Sequence, residues 1–336
     1  MSGVIVPAAL LAFAASLVVA MLVWRAGVLD LPEARSMHTR PTPRGGGLGV
    51  LAAAGAAFVW ASFQPVGLGG GIAILATTAG FAALGLADDL KPVSARIKFA
   101  VMIAIALACA QALGEPQRLG TPFGVIELHW AAAMFGGALF ILVAVNAANF
   151  VDGSDGMMAA AFIPAGIGLA VAGLVASVIA ASVAGIALAA GLAGFLLLNR
   201  PPAKVFAGDA GSLAAGALYA AGALAMAGRG FAESVWLVPL FILPVLADVL
   251  LTLLKRALGG RFSFNPHREH AYQILIGRGW SHARVALAYG GLTIACVLAG
   301  LVAAQGPDGS VFWTFWTAAA VLAGLYLAAA RRGLAA

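Results

Sequence analysis

Asn146-Ala147-Ala148-Asn149-Phe150-Val151-Asp152-Gly153-Ser154-Asp155-Gly156 separates two long apolar runs, 131–145 and 157–174. Its two amides and two carboxylates therefore fall where a membrane-spanning helix meets water. Asn146, Asn149, Asp152 and Asp155 recur at every third position, so each is a surface neighbour of the next on a helix. Gly153 and Gly156 let the backbone tighten or break there. Carboxylates at membrane depth are costly and usually face a water-filled cavity, an ion or a substrate path. A helix end capped by Asn and Asp is the simpler alternative. Further polar clusters on the same side of the membrane weigh against it.

Outward from this stretch the chain is mostly apolar. Of 336 residues, 62% are hydrophobic and 10% charged, and the mean hydropathy is +1.01. Soluble domains carry about 25% charged residues, so the composition is that of an integral membrane protein. The remaining apolar runs are 4–24, 45–63, 68–86, 99–113, 177–198, 213–227, 235–254, 285–304 and 311–330. With about 20 residues needed per span, the expectation is an all-α polytopic bundle of about eleven transmembrane helices. No connection is long enough for a separate soluble domain, so residues 1–336 read as a single membrane domain. Cys109 and Cys296 lie in apolar runs and give no disulfide framework. Residues 1–20 lack a positively charged leader, and Arg25 follows the first run. That order predicts a retained first helix with its N-terminus outside and the C-terminus cytoplasmic.

The positive-inside rule supports this orientation. With the loop after Trp24 placed inside, all but Arg118 and Arg229 of the 19 Lys and Arg residues fall on the cytoplasmic side. The formal charge of +6 thus marks a membrane face, and no basic helix or aromatic–basic strand pattern points to nucleic acid. The same map places His38–Arg44, Asp88-Asp89, 146–155, Asp209 and the loop around His267 and His270 inside. Glu115, Glu127, Glu233 and Asp308 fall outside, scattered and unaccompanied.

Asp88 and Asp89 end the third run, and five carboxylates (with Asp152, Asp155 and Asp209) line the cytoplasmic edge. Oxygen-only donors suit Mg²⁺ or Mn²⁺, which bind through one or two carboxylates plus substrate phosphates. In Val205-Phe206-Ala207-Gly208-Asp209-Ala210-Gly211-Ser212, the glycines permit a sharp turn before the eighth span, and Ser212 is a plausible N-cap. A helix N-terminus there would attract phosphate. Phe206 suits stacking on a flat ring or simple interface anchoring. Thr42 and Arg44 lie in a Pro- and Gly-rich loop fit to cradle an anion or anchor head groups. Arg268 can contact phosphate bidentately, and the neighbouring His267 and His270 can bind phosphate or move protons. His129 and His282 read as solvated. Asp248, within the ninth run, should face the interior.

Together these motifs resemble the polyprenyl-phosphate N-acetylhexosamine-1-phosphate transferase superfamily, in family order and over nearly the whole chain. Asn-x-x-Asn-x-x-Asp-Gly-x-Asp-Gly and Gly-Asp-x-Gly-Ser are the most specific. The resemblance implies a Mg²⁺-dependent transfer of a sugar-1-phosphate from a UDP-sugar to a polyprenyl phosphate, releasing UMP, at the cytoplasmic face of a bacterial inner membrane. It implies Asp209, with Asp152, as the metal site. Asp88, Asp89, Asp152, Asp155, Arg268 and His270 are the implied catalytic residues. Thr42, Arg44, Asn146, Asn149, Phe206, Ser212 and His267 are the implied substrate contacts. The implied partners are the two substrates and membrane lipid, with a homodimer left open. Pro92 stands where many members extend the aspartate pair, and the last loop lacks the histidine-rich cluster of the pentapeptide-transferring branch. The first leaves the extended aspartate motif incomplete, and the second favours the N-acetylglucosamine or deoxy-sugar branches. The alternative from another class is a transporter of a sugar nucleotide or lipid-linked sugar. A transporter should carry polar residues near mid-membrane or in broken helices, and most of these runs are clean.

The orientation is tested by fusing a reporter active only in the cytoplasm after Arg332. Signal is expected there, and signal after Gly114 instead inverts the map.

Overall fold

The computed structural model describes residues 2–26, 29–30, 41–114, 116–260 and 268–331. Its long helices are α1 (Ser2–Ala26), α3 (Gly71–Leu90), α4 (Ala95–Leu113), α5 (Trp130–Val151), α6 (Met157–Val175), α7 (Ile179–Asn199), α8 (Gly208–Arg229), α12 (His282–Ala303) and α13 (Ser310–Arg331). The shorter ones are α2 (Leu48–Ser62), α9 (Ser234–Phe241), α10 (Leu243–Leu258) and α11 (Ala271–Gly277). Two small antiparallel pairs complete the fold: β1 (Leu29–Asp30) with β2 (Thr42–Pro43), and β3 (Arg118–Thr121) with β4 (Gly124–Glu127). All eleven apolar runs read from the sequence fall on helices, so the all-α membrane bundle is borne out.

Among the described residues, nine helices are long and apolar enough to span a bilayer. Two expected spans differ from simple rods. The second is α2, 15 residues long, or about 22 Å at 1.5 Å per residue, short of the roughly 30 Å hydrocarbon core. It is short because Gly45 to Gly47 are used in a turn and not in the helix. The ninth is broken at Ile242 into α9 and α10, which meet at 82°. Pro244 opens α10 and has no N–H for the carbonyl four residues back, so the ladder cannot run through. Hydropathy is blind to that break.

The bundle is built around α8, which is buried along nearly its whole length. Its many Gly and Ala residues let neighbours approach closely, and close van der Waals packing is the main attraction between helices in lipid. A Cβ on Gly211 would lie 2.3 Å from the Cα of Gly47, ahead of α2, and one on Gly216 would lie 2.7 Å from the Cα of Val145 on α5. α3 lies along the other side, where Gly85 abuts the Asp209 backbone. α6 and α12 are packed further out, and α1, α4 and α13 keep much of their apolar surface exposed.

At the end of the bundle opposite the acidic motifs, the β3–β4 hairpin is tied to α9. Gly120 N–H donates to the Ala232 carbonyl at 3.0 Å, and the Trp236 indole donates to Gly120 O at 2.7 Å. Glu233 is not unaccompanied, as its sequence position suggested. Its carboxylate accepts from the backbone N–H of Gly309, Val311 and Phe312 and so caps α13. Cys109 and Cys296 are free and buried.

Gly211→Val should force α2 and α8 apart and cost about 1–3 kcal/mol, read as a lower melting temperature in detergent. Gly55→Ala, where a Cβ meets nothing within 4 Å, should be neutral or stabilising by up to about 1 kcal/mol.

Candidate active site

Four helix ends and one loop converge at the acidic end of the bundle. α3 delivers Asp88 and Asp89 in its last turn, α4 delivers Lys98 in its first, and α5 ends in Asn149 and Asp152. α8 begins with Asp209, and the segment after β2 brings Arg44. Backbone pairing holds that segment. Phe206 N–H donates to Pro43 O at 2.8 Å, and the Phe206 carbonyl accepts from Gly45 (3.1 Å) and Gly46 (2.9 Å). The Phe206 ring stays half-buried, while Thr42 is buried at 6% exposure.

Asp89 has a structural task that the sequence did not reveal. Its Oδ1 accepts from the Asp209 N–H and its Oδ2 from the Ala210 N–H, both at 3.0 Å, and Arg44 Nη2 hydrogen-bonds the same carboxylate. Asp89 therefore occupies the anion position at the N-terminus of α8, where dipole and free N–H groups favour negative charge. Those amides do not wait for a substrate phosphate. Ser212 is not the N-cap either. α8 starts a turn earlier, and the Ser212 hydroxyl donates back to Gly208 O and accepts from Asn149 Nδ2 at 2.9 Å.

Asp88 closes the α3–α4 turn, accepting from Val93 N–H at 2.7 Å, and its other oxygen takes Lys98 Nζ at 2.8 Å. Lys98 also reaches Asp209 Oδ2, so one ammonium bridges two carboxylates. The other oxygen of Asp209 accepts from Asn149 Nδ2 at 3.2 Å and lies 3.9 Å from Arg44. Its side chain is 24% exposed, against 9% for Asp89. Asp89 is thus committed to the fold, while Asp209 remains open to a ligand. Lys98 was not singled out from sequence. Its available signal was a cation in the first turn of an apolar helix, where the dipole disfavours it.

Asp152, the C-cap of α5, is half-buried and makes no hydrogen bond among the described residues. Burial pushes its carboxyl well above the usual carboxylate range. The charges of Asp209 and Asp89 push it further, Arg44 partly offsets them, and Asp155 adds to the rise.

The rest of the motif builds walls. Asp155 Oδ2 accepts from Ala203 N–H at 2.9 Å, and its own N–H donates to His282 Nδ1, which also contacts Ser154 Oγ at 3.0 Å. His282 is therefore an anchor for the α5–α6 turn, not the solvated residue expected. Asn199 accepts from Gly156 N–H and donates to Val205 O, each at 2.9 Å, tying that turn to the 200–207 loop. Gly156 holds φ +71°, which a residue with a Cβ resists. Asn146 bonds back to Leu142 O within its own helix. His270 is buried at 3% exposure, with its ring 5.4 Å from that of Phe150, so it is not a solvated loop residue. Arg268 is exposed, and His267 lies outside the described residues.

No group of three His, Cys, Asp or Glu side chains among the described residues forms a ready metal cage. The donor set still fits a hard divalent ion completed by substrate phosphates. Asp209 and Asp152 offer only oxygens, and Asp152 has an unpartnered carboxylate in a negative field.

A raised folded-state pKa means that the native protein holds a proton the unfolded chain has released, so stability falls as pH rises between the two values. Without divalent cation, Asp152→Asn should be more stable than the parent, the gap widening by up to about 1.4 kcal/mol per pH unit across that window. Urea titrations in detergent with EDTA from pH 4 to 8 measure it. A gap independent of pH contradicts the electrostatic reading.

Comparison with known proteins agrees with the motifs. The model of glycosyl transferase family 4 matches residues 71–227, the interval holding Asp88, Asp89, Asn149, Asp152 and Asp209. The decaprenyl-phosphate N-acetylglucosaminephosphotransferase of Mycobacterium tuberculosis is 31% identical over 96% of this chain and 85% of its own length. A phospho-N-acetylmuramoyl-pentapeptide-transferase of Desulforudis audaxviator is 30% identical, over 81% of this chain and 87% of the relative. The probable undecaprenyl-phosphate N-acetylglucosaminyl 1-phosphate transferase of Bacillus subtilis is 28% identical, over 76% and 72%. All three are transferases by name, which removes the support for a transporter. The chain belongs to glycosyl transferase family 4, among the polyprenyl-phosphate N-acetylhexosamine-1-phosphate transferases.

Proposed function

We propose that this protein transfers N-acetylhexosamine-1-phosphate from a UDP-sugar to polyprenyl phosphate, with Mg²⁺, at the cytoplasmic face of a bacterial inner membrane. The observation that carries the reading is the pairing of an open Asp209 with an unpartnered Asp152 beside two cations, Lys98 and Arg44. Two phosphorylated substrates must meet there, and their repulsion is the main obstacle.

An oxygen of the lipid phosphate attacks the sugar-bearing phosphorus of the UDP-sugar. The bond from that phosphorus to the bridging oxygen breaks, and UMP leaves with that oxygen. A phosphate monoester has a second pKa of about 6, so the attacking oxygen is largely ionised at neutral pH. Positioning and charge neutralisation then carry the catalysis. Mg²⁺, held by Asp209 and Asp152, would supply neutralisation between the phosphates. Asp88 fixes Lys98 beside Asp209, and Asp89 fixes Arg44 and the start of α8, so both cations stand ready before substrate arrives. Asn149 orients the Asp209 carboxylate. Arg268 is an exposed cation in the last loop, suited to the diphosphate. α10 carries Leu250, Leu254 and Leu258 as an outward apolar row at helical spacing, a face on which isoprenoid can lie.

The absence of the histidine-rich cluster favours UDP-N-acetylglucosamine or a deoxy relative such as UDP-N-acetylfucosamine over the pentapeptide substrate. Purified protein in detergent should release UMP from one of these only with polyprenyl phosphate and Mg²⁺ both present. Asp209→Asn should lower turnover at least about 100-fold, the scale of one well-placed electrostatic contact, with little change in melting temperature. Near-normal turnover with unaltered Mg²⁺ dependence contradicts the metal assignment. Accumulation of sugar nucleotide by sealed vesicles, without UMP release in detergent, contradicts the reaction.

A further inference from the structure

Asp248 lies on α10, outside the acidic cluster, and is 3% exposed. Its carboxylate is nonetheless well supplied with donors. Oδ1 accepts from Ala271 N–H at 2.7 Å and from Thr252 Oγ1 at 3.3 Å. Oδ2 accepts from Tyr289 Oη of α12 at 2.6 Å and from Tyr272 N–H at 3.4 Å. Two of these donors are first-turn N–H groups of α11, where a carboxylate is favoured by both hydrogen bonding and dipole.

α11 has seven residues, and only Ala271 and Tyr272 are buried. Those are the two residues whose N–H groups Asp248 holds. The carboxylate thus holds the backbone of the same two residues that anchor α11 in the core, where Leu275 and Ile276 are also partly buried. From Tyr272 the connection continues to the active site. Its hydroxyl donates to Phe150 O at 2.7 Å, two residues before Asp152, and a Cβ on Gly153 would meet that hydroxyl at 2.4 Å. His270, just ahead of α11, has its Nδ1 3.7 Å from Asp248 Oδ1 and its ring against Phe150.

We infer that Asp248 is a positioning residue: through Ala271 and Tyr272 it sets the 268–272 segment against the C-terminal end of α5, and so fixes where Arg268 and His270 stand relative to Asp152 and Asp209. The inference rests on the proposed reaction for its kinetic consequence and on geometry alone for the clamp. A carboxylate that merely joins α10 to α12 would need only Tyr289. The two α11 amides and the Tyr272–Phe150 bond extend the connection to the acidic site.

Two variants test it. Asp248→Asn keeps one acceptor oxygen and the side-chain volume, and Tyr272→Phe keeps the ring while cutting the bond to Phe150. In hydrogen–deuterium exchange on detergent-solubilised full-length protein, Asp248→Asn should speed exchange in a peptide covering 269–277. Both variants should speed it in a peptide covering 146–153. In steady-state assays each should raise KM for the UDP-sugar about five- to tenfold, as expected for one lost hydrogen bond, and leave KM for polyprenyl phosphate unchanged. Unchanged exchange in both variants overturns the clamp. Faster exchange with both KM values at the parental level, and turnover falling only with the folded fraction, reduces Asp248 to a structural staple and overturns the positioning role. A parent protein that releases no UMP with any UDP-sugar defeats the proposed reaction instead, and the exchange data alone then decide the clamp.

Discussion

The contact on which the site depends is the capping of α8 by Asp89. α8 is the axle of the bundle, and its first turn carries Asp209. A carboxylate from the end of α3 takes the Asp209 and Ala210 N–H groups, while Gly85 lets the two helices close. One interaction therefore satisfies a buried helix terminus and sets the height of Asp209 in the membrane. It also draws Arg44 into place. In a bilayer, where apolar surface gains little by moving from lipid to protein, such polar contacts between small-residue helices set the register.

Around that fixed point, among the described residues, five carboxylates gather with two cations in direct contact, Lys98 and Arg44. Asp88 and Asp209 share Lys98, Asp89 takes Arg44, and Asp152 is left without a donor. Helix ends delivered by α3, α5 and α8 cannot relax away from one another, because each is held by close packing further down the bundle. Burial raises the Asp152 pKa, and the charges of Asp209 and Asp89 raise it further. Such frustration is useful where a cation and two phosphates must be gathered, and costly otherwise. It is the physical reason for assigning the chemistry to this end of the bundle.

Much of this was legible in the sequence, for identifiable reasons. Long apolar runs mark spans because the bilayer demands them. Asp88, Asp152 and Asp209 stood out because carboxylates are rare in such a chain. What escaped was whatever depends on a partner distant in sequence. Ser212 looked like a cap, yet the cap of α8 is Asp89 from another helix. Lys98 looked like one more cytoplasmic cation, and only folding brings it to Asp209. His282 and Glu233 looked idle, but one anchors the α5–α6 turn and the other caps α13. The 82° break at Ile242 was hidden because hydropathy averages across Pro244 without registering its missing N–H.

The central claim is that Asp209 and Asp152 hold a divalent cation against the substrate phosphates. Electron paramagnetic resonance of Mn²⁺ added to the purified protein with a UDP-sugar tests it most directly. A bound Mn²⁺ signal with phosphorus hyperfine coupling, lost in Asp209→Asn and retained in Asp155→Asn, is what the account predicts. The same coupled signal in Asp209→Asn and in the parent protein would contradict it.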